Sequence, residues 1–242
     1  MSLFPLSMPY KPATAIPSGI SVQWRHRADR GITGSTPVTE WLDIGDEDGF
    51  GGNGDANLAN TAGGPTFLSG GGPNGHDAVD LDGSDDVLGV DGITAVSPPW
   101  HVFLVARVNT FTSGEPFWGI KGSSHNGLIK SHGTTPAIVN STSSANNANS
   151  NTDMSIGTWH LVQVLFINSS SAGITIDNGT PVTGTASGVV QDAVRLVLGG
   201  DDNMSALPCD VTIAEHIMCD AEVTGADLTQ LLAYFNDRYV LW

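Results

Sequence analysis

Asp80, Asp82, Asp85 and Asp86 stand within one short string, Asp80-Leu81-Asp82-Gly83-Ser84-Asp85-Asp86. Carboxylates at alternate positions of a strand, followed by more in the turn, offer hard oxygen ligands. Ca²⁺ takes about six to eight of these. The same residues also suit a turn with no ion, because Asp side chains hydrogen-bond neighbouring backbone. The string lacks the length and the closing Glu of an EF-hand loop. Asp43, Asp46, Glu47 and Asp48 form a second acidic group with the same two readings. Nothing in the chain requires a cofactor; Ca²⁺ is the cation these turns suggest.

Sugar recognition calls for an exposed aromatic ring with amide, carboxylate and backbone groups around it. Trp118, His125 and Asn126 offer such groups beside a polar stretch, and Asp201, Asp202 and Asn203 offer them after Gly199-Gly200. Trp118 sits between Phe117 and Ile120, which better suits a core position. Glycoside hydrolysis needs two carboxylates roughly 5–10 Å apart. Glu215 stands alone in an apolar run, with Asp210 and Asp220 only at its ends, so it reads as a structural acceptor. Neither Gly-x-Ser-x-Gly nor a phosphate-binding loop occurs. No catalytic residue is assigned, and the chain reads as a non-enzyme.

These residues need strands to position them. Thr158 to Asp220 holds runs at Thr158–Ile167, Gly173–Asp177, Val194–Leu198 and Val211–Met218, separated by turns such as Asn178-Gly179 and Gly199-Gly200. The runs have strand length, and the turn residues reach positive φ cheaply. They predict a meander of antiparallel strands. Upstream, Gly19–Arg25 and Ala78–Asp82 alternate apolar and polar residues. Trp100–Val108 is apolar enough to lie centrally in a sheet. Trp24, Trp41, Trp100 and Trp159 read as core. Asn140–Asp153, rich in Ser, Asn and Ala, predicts an exposed loop. A helix is predicted over 224–238. Thr224 and Asp227 are spaced like a capping box, and Leu228, Leu231, Leu232 and Phe235 follow on one face that would pack on the sandwich edge. Tyr239, Leu241 and Trp242 would extend that packing.

At 242 residues the chain suits one large sandwich, with 40% apolar and 14% charged residues and 30 Gly. Its net charge of −16 repels phosphate backbones and anionic lipid, so neither nucleic acid nor a membrane is an expected partner. No run is long and apolar enough for a span, and the first residues do not form a signal peptide. Cys209 and Cys219 fall at opposite ends of one predicted strand, too far apart for a disulfide. Residues 1–18 carry Pro5, Pro9, Pro12 and Pro17 and read as an extended arm, packed either on its own domain or on a neighbouring copy. Residues 19–242 form the domain.

The string Trp41-Leu42-Asp43, the run Ala78–Leu88, Gly157-Thr158-Trp159-His160, Ile176-Asp177-Asn178-Gly179, Leu198-Gly199-Gly200 and Ile213-Ala214-Glu215 occur in a familiar order. With the terminal helix, the chain resembles the concanavalin A-like lectin/glucanase (laminin-G-like) superfamily, over about residues 20–240. It looks most like the versions in phage structural and bacterial surface proteins. The resemblance implies an all-β, two-sheet antiparallel jelly-roll sandwich with a short C-terminal helix. It does not imply one activity, since this fold hosts lectins, hydrolases and assembly modules. The preferred reading is a non-enzymatic virion module, made in the host cytoplasm, that decorates a capsid or serves in a tail or fibre. Its partners would be other virion proteins, copies of itself through the arm, and a surface glycan. The alternative is a free lectin-like carbohydrate-binding module. A glycoside hydrolase is disfavoured, because the Glu-x-Asp-x-x-Glu string of the family's glucanases is absent.

Overall fold

The structure is a computed structural model. It describes residues 15–45, 56–110, 112, 114–121, 126–132, 137–142, 145–149, 154–168, 171–184, 193–200, 204 and 208–242. The strands in chain order are β1 (Val22–Arg27), β2 (Ile32–Gly34), β3 (Val38–Trp41), β4 (Leu58–Ala62), β5 (Thr66–Leu68), β6 (Ala78–Asp82), β7 (Val87–Val96), β8 (Trp100–Val108) and β9 (Pro116–Lys121). They continue with β10 (Asn126–His132), β11 (Ala137–Thr142), β12 (Ala145–Asn149), β13 (His160–Asn168), β14 (Ser171–Ile176), β15 (Val182–Gly184), β16 (Ala193–Leu198) and β17 (Asp210–Cys219). The helix α1 (Gly225–Tyr239) follows.

Two antiparallel sheets face each other, so the expected all-β sandwich with a terminal helix is observed. The first runs β15-β14-β13-β8-β17-β6-β5, with β1 beside the later half of β17. The second runs β12-β11-β10-β9-β16-β7-β4-β3-β2. Between them lies the main core, including Trp24, Trp41, Trp100, Leu104, Leu196 and Ile213. β8 is central, between β13 and β17, and is buried along nearly its whole length.

The structure corrects three expectations. Thr158–Asp220 is not one meander. Only β13, β14 and β15 form one; β16 crosses to the second sheet, and β17 returns to the first beside β8. Local turn signals cannot distinguish a hairpin from a crossing between sheets. Asn140–Asp153 is not wholly loop, since it supplies the end of β11 and all of β12. An edge ladder is held by backbone hydrogen bonds and needs no apolar side chains. Finally, α1 packs on a face of the first sheet rather than on an edge. That outer face carries Phe103, Val105, Leu161, Ala214, Ile217 and Cys219, and α1 covers it with Leu231, Tyr234, Phe235 and Tyr239. Fully burying a side chain such as Leu231 or Phe235 stabilises by about 1.5–3 kcal/mol.

Ile16 and Ile20 also pack under the helix, and Gln230 Nε2 donates to the Ala15 carbonyl at 3.3 Å. Thr224 occupies the N-cap, but its side chain makes no capping bond, so the expected capping box does not form. Cys209 and Cys219 are both buried free thiols at the two ends of β17. No described helix is long and apolar enough to cross a membrane.

Candidate functional site

The face between α1 and the first sheet is closed at its centre by charge. Glu215, fully buried, accepts from Arg25 Nε at 2.9 Å and lies 2.8 Å from Arg25 Nη2. Tyr234 Oη lies 2.9 and 2.8 Å from its two oxygens, and Tyr239 Oη donates to Oε2 at 2.7 Å. The carboxylate thus ties β17, β1 and the helix together. Its donors come from the protein itself, as its reading as a structural acceptor requires.

Between the sheets a second polar chain is equally complete. Trp118 Nε1 donates to His216 Nε2 at 3.0 Å, so the proton of neutral His216 is on Nδ1. That proton serves His26 Nδ1 at 3.2 Å, and His26 Nε2–H then serves the Ala56 carbonyl at 2.8 Å. Burial holds both histidines below the ordinary imidazole range; at His216, neighbouring His26 adds to the effect. Trp118 is fully buried and stacks on Phe166, so of its two readings the core position is the one observed, and it is not a sugar-stacking ring. Its register on β9 points it into the core, opposite Leu198.

The surface opens on one flank of the helix. Val240 takes a left-handed conformation (φ 53°) that ends α1. Asn236 Oδ1 then accepts from the backbone N–H of Leu241 at 3.1 Å and of Trp242 at 3.0 Å. This turns Trp242 outward, 41% exposed, rather than into the expected packing with Tyr239. Trp242 borders a groove of about 300 Å³ with Asn178, Thr229, Asn236 and Asp237. An aromatic face beside amide, hydroxyl and carboxylate groups is the combination that sugar binding uses. No periodicity marks Trp242 as exposed, because the left-handed turn before it breaks the helical register.

The groove runs into a deeper cavity of about 440 Å³ that shares Asn178 and Leu232 with it. The cavity lies between the N-terminal turn of α1 and the outer face of β8, β13, β14 and β15. Leu165, Ile167, Pro181, Val223 and Leu228 give it apolar walls, and His101 and Gln163 stand in it. The turn at its rim is held by Asp177, which accepts from Leu161 N–H at 2.9 Å and pairs with His160 at 2.8 Å.

The predicted acidic site is divided. Asp82, Asp85 and Asp86 bring carboxylate oxygens within 4.8 Å of one another, but Asp80 is turned away. It accepts from Thr212 Oγ1 at 2.6 Å and Asn109 Nδ2 at 3.2 Å instead. Asp86 already accepts two backbone N–H groups, from Gly64 and Asp82. Burial raises its carboxyl above the ordinary range. In the other acidic group, Asp43 accepts from the backbone of Arg25 and Gly45, which suits a turn. Of the expected sugar-binding residues, Asn126 pairs with Lys121 at the start of β10. His125, Asp201, Asp202 and Asn203 lie outside the described residues. Trp159 is half-buried rather than core, with the Arg107 guanidinium 5.1 Å from its ring centre.

No family model matches the chain, and no curated protein matches it. Solved structures do, and they define the fold as a β-sandwich found in carbohydrate-binding and glycosidase proteins. One is domain 4 of AbnA, an extracellular arabinanase from Geobacillus stearothermophilus, in complex with arabinotriose. It has a TM-score of 0.64 and 14% identity, covering 88% of this chain and 98% of that one. A second is Trypanosoma rangeli sialidase in complex with sialic acid, at TM-score 0.61 and 11% identity, covering 96% of this chain but only 36% of the sialidase. A third is the binding domain of botulinum neurotoxin DC in complex with SialylT, at TM-score 0.56 and 10% identity, covering 90% of this chain and 52% of that one. At these identities the likeness is one of fold.

Proposed function

We propose that this chain is a non-enzymatic carbohydrate-binding module that holds a glycan along the groove between α1 and the β14–β15 turn. The observation that carries this reading is Trp242, an exposed indole whose backbone N–H is held by Asn236, beside Asn178, Thr229 and Asp237. The indole offers a stacking face, and the side chains around it offer donors and acceptors to ring hydroxyls. The arabinotriose complex of a domain matching this one almost end to end supports the same reading. Glu215 supports the non-enzymatic part, since Arg25, Tyr234 and Tyr239 occupy its carboxylate. Of the two sequence readings, the free carbohydrate-binding module gains from these likenesses, and assembly into a phage particle does not.

The test is calorimetric titration of the chain with arabino-, cello- and chito-oligosaccharides and a sialylated glycan. Binding of at least one is expected. Trp242→Ala should weaken it about tenfold or more, the scale of a lost stacking face. Binding unchanged in Trp242→Ala but lost in Asn126→Ala or Asp202→Ala would move the site to the residues that the sequence favoured. Binding of no glycan would end the proposal, and release of reducing sugar from any of them would make the chain an enzyme.

A further inference from the structure

The deeper cavity contains two polar side chains that the protein leaves half-used. His101 is 6% exposed, and its Nδ1 accepts the Val223 backbone N–H at 3.2 Å. The neutral ring therefore carries its proton on Nε2. Burial lowers its pKa to about 4, so the ring is neutral at ordinary pH. Gln163 is 5% exposed, and its Nε2 donates to the Asp177 carbonyl at 2.7 Å. That bond fixes the amide orientation and leaves Oε1 as an acceptor. Among the described residues nothing pairs with His101 Nε2–H or Gln163 Oε1, and both side chains line the cavity. Both atoms face the cavity, so whatever fills it takes their remaining hydrogen bonds.

The two residues are near diagonal neighbours. His101 on β8 lies opposite Leu165 on β13, two residues from Gln163, and both side chains reach the helix-covered face. Such diagonal side chains stand about 7–8 Å apart at most. One donor and one acceptor at that separation, within apolar walls, match a secondary amide bearing a small alkyl group. A carboxylate would meet Gln163 Oε1 and, at the rim, Glu222. An ammonium group would meet the His101 N–H. The site therefore selects a neutral ligand.

We infer that the cavity takes the acetamido group of an N-acetylated sugar. The carbonyl oxygen of that group accepts from His101 Nε2–H, its N–H donates to Gln163 Oε1, and its methyl packs against Leu165, Val223 and Leu228. This rests on the groove reading above and names its substrate class. The sugar ring that carries the acetamido group lies at the mouth, by Asn178, and the chain of sugars continues toward Trp242.

Chitotriose and cellotriose form a matched pair of probes, differing at each ring only in acetamido for hydroxyl. Titration of the whole chain should show chitotriose binding at least about 10-fold more tightly, the scale of two hydrogen bonds and a buried methyl. Two variants remove the cavity in different ways. Gln163→Met removes the acceptor at similar size. Gly173→Leu fills the space; a Cβ at Gly173 meets nothing closer than 3.9 Å, and its backbone φ suits any residue. Each variant should bring chitotriose down to the affinity of cellotriose, with the melting temperature showing that it is folded. Equal binding of the two sugars by the native chain would overturn the inference and leave the groove reading standing. A preference for chitotriose that survives Gly173→Leu would also overturn it. No binding of these or any other glycan would overturn the groove reading and the inference with it.

Discussion

The first sheet is flanked by two kinds of buried polar group, and they are finished differently. Glu215 and the His26–His216–Trp118 chain are closed systems, in which each group named meets a protein partner. His101 and Gln163 lie on the same helix-covered side as Glu215 and are almost as buried, yet each leaves one atom facing a cavity. The closed systems join elements distant in sequence; Arg25 and Glu215 are 190 positions apart. Their role is to hold the helix and the sheets in one arrangement. His101 also ties β8 to Val223 ahead of the helix, and Gln163 ties β13 to the turn at Asp177, so each makes one structural bond; the atom each has left over, His101 Nε2 or Gln163 Oε1, is the part that structure alone does not account for. A complete polar network argues for architecture, and an incomplete one beside a cavity argues for a ligand.

The largest test of the closed side is Glu215→Ala. It leaves Arg25, only 3% exposed, without its carboxylate partner. Removing one member of a buried ion pair costs about 3–5 kcal/mol. Chemical denaturation should show a fall of that size, and a fall below about 1 kcal/mol would mean that the network is ornamental. Glu215→Gln should restore part of the stability, because it keeps the shape and one acceptor.

Acid is the next test and separates the histidines from the carboxylates. Burial lowers the pKa of His26, His101 and His216 in the folded chain, with His101 reaching about 4. The unfolded chain takes up these protons near pH 6.5, whereas the folded chain resists. Between those values the unfolded state binds more protons, so stability is full above about pH 6.5 and is lost as pH falls. His101 alone accounts for about 3 kcal/mol over the whole interval from its ordinary value to about 4. The raised carboxyl of Asp86 acts in the opposite sense, within the carboxylate range. Denaturation midpoints from pH 7 to pH 4.5 should decline steadily, and His101→Phe should flatten part of that decline. A flat profile in the native chain would show these rings to be accessible.

Much of this architecture was legible in the chain, and the rest was hidden for physical reasons. Alternation and turn residues placed β6, β8, β13 and β17 close to where they lie, because burial on one or both faces leaves its mark on side-chain type. The helix was legible from Leu228, Leu231, Leu232 and Phe235, although Tyr234 and Tyr239 make its buried contacts to Glu215. The crossing of β16 to the second sheet was not legible, since a Gly or Asn turn reports a local bend and not the destination of the strand. The candidate site was barely legible. Trp118 read as core from Phe117 and Ile120 and as a sugar-stacking ring from the polar stretch beside it, and β-register decided between them. Trp242 resembled a continuation of the helix, but one left-handed residue, Val240, reversed it. His101 and Gln163 are single polar residues in apolar strands, and only the register of β8 against β13 makes them neighbours.

The acidic turn places the comparison at its smallest scale. Asp82 Oδ1 accepts the Ser84 N–H at 2.8 Å, and Asp86 Oδ2 accepts the Asp82 N–H at 2.9 Å, while Oδ1 takes the Gly64 N–H. Asp86 is thus satisfied at both oxygens by backbone donors, whereas Asp85 stands exposed beside it. Asp86→Ala should therefore cost about 1–3 kcal/mol, the loss of a buried acceptor with two donors left behind. The cost should be the same in chelator and in Ca²⁺, because the donors released are N–H groups and not cation ligands. A native chain whose melting temperature rises saturably with Ca²⁺, with the rise abolished by Asp86→Ala, would show that the carboxylates of Asp82, Asp85 and Asp86 converge on an ion. The turn would then belong with His101 and Gln163, among the groups whose partner comes from outside the chain.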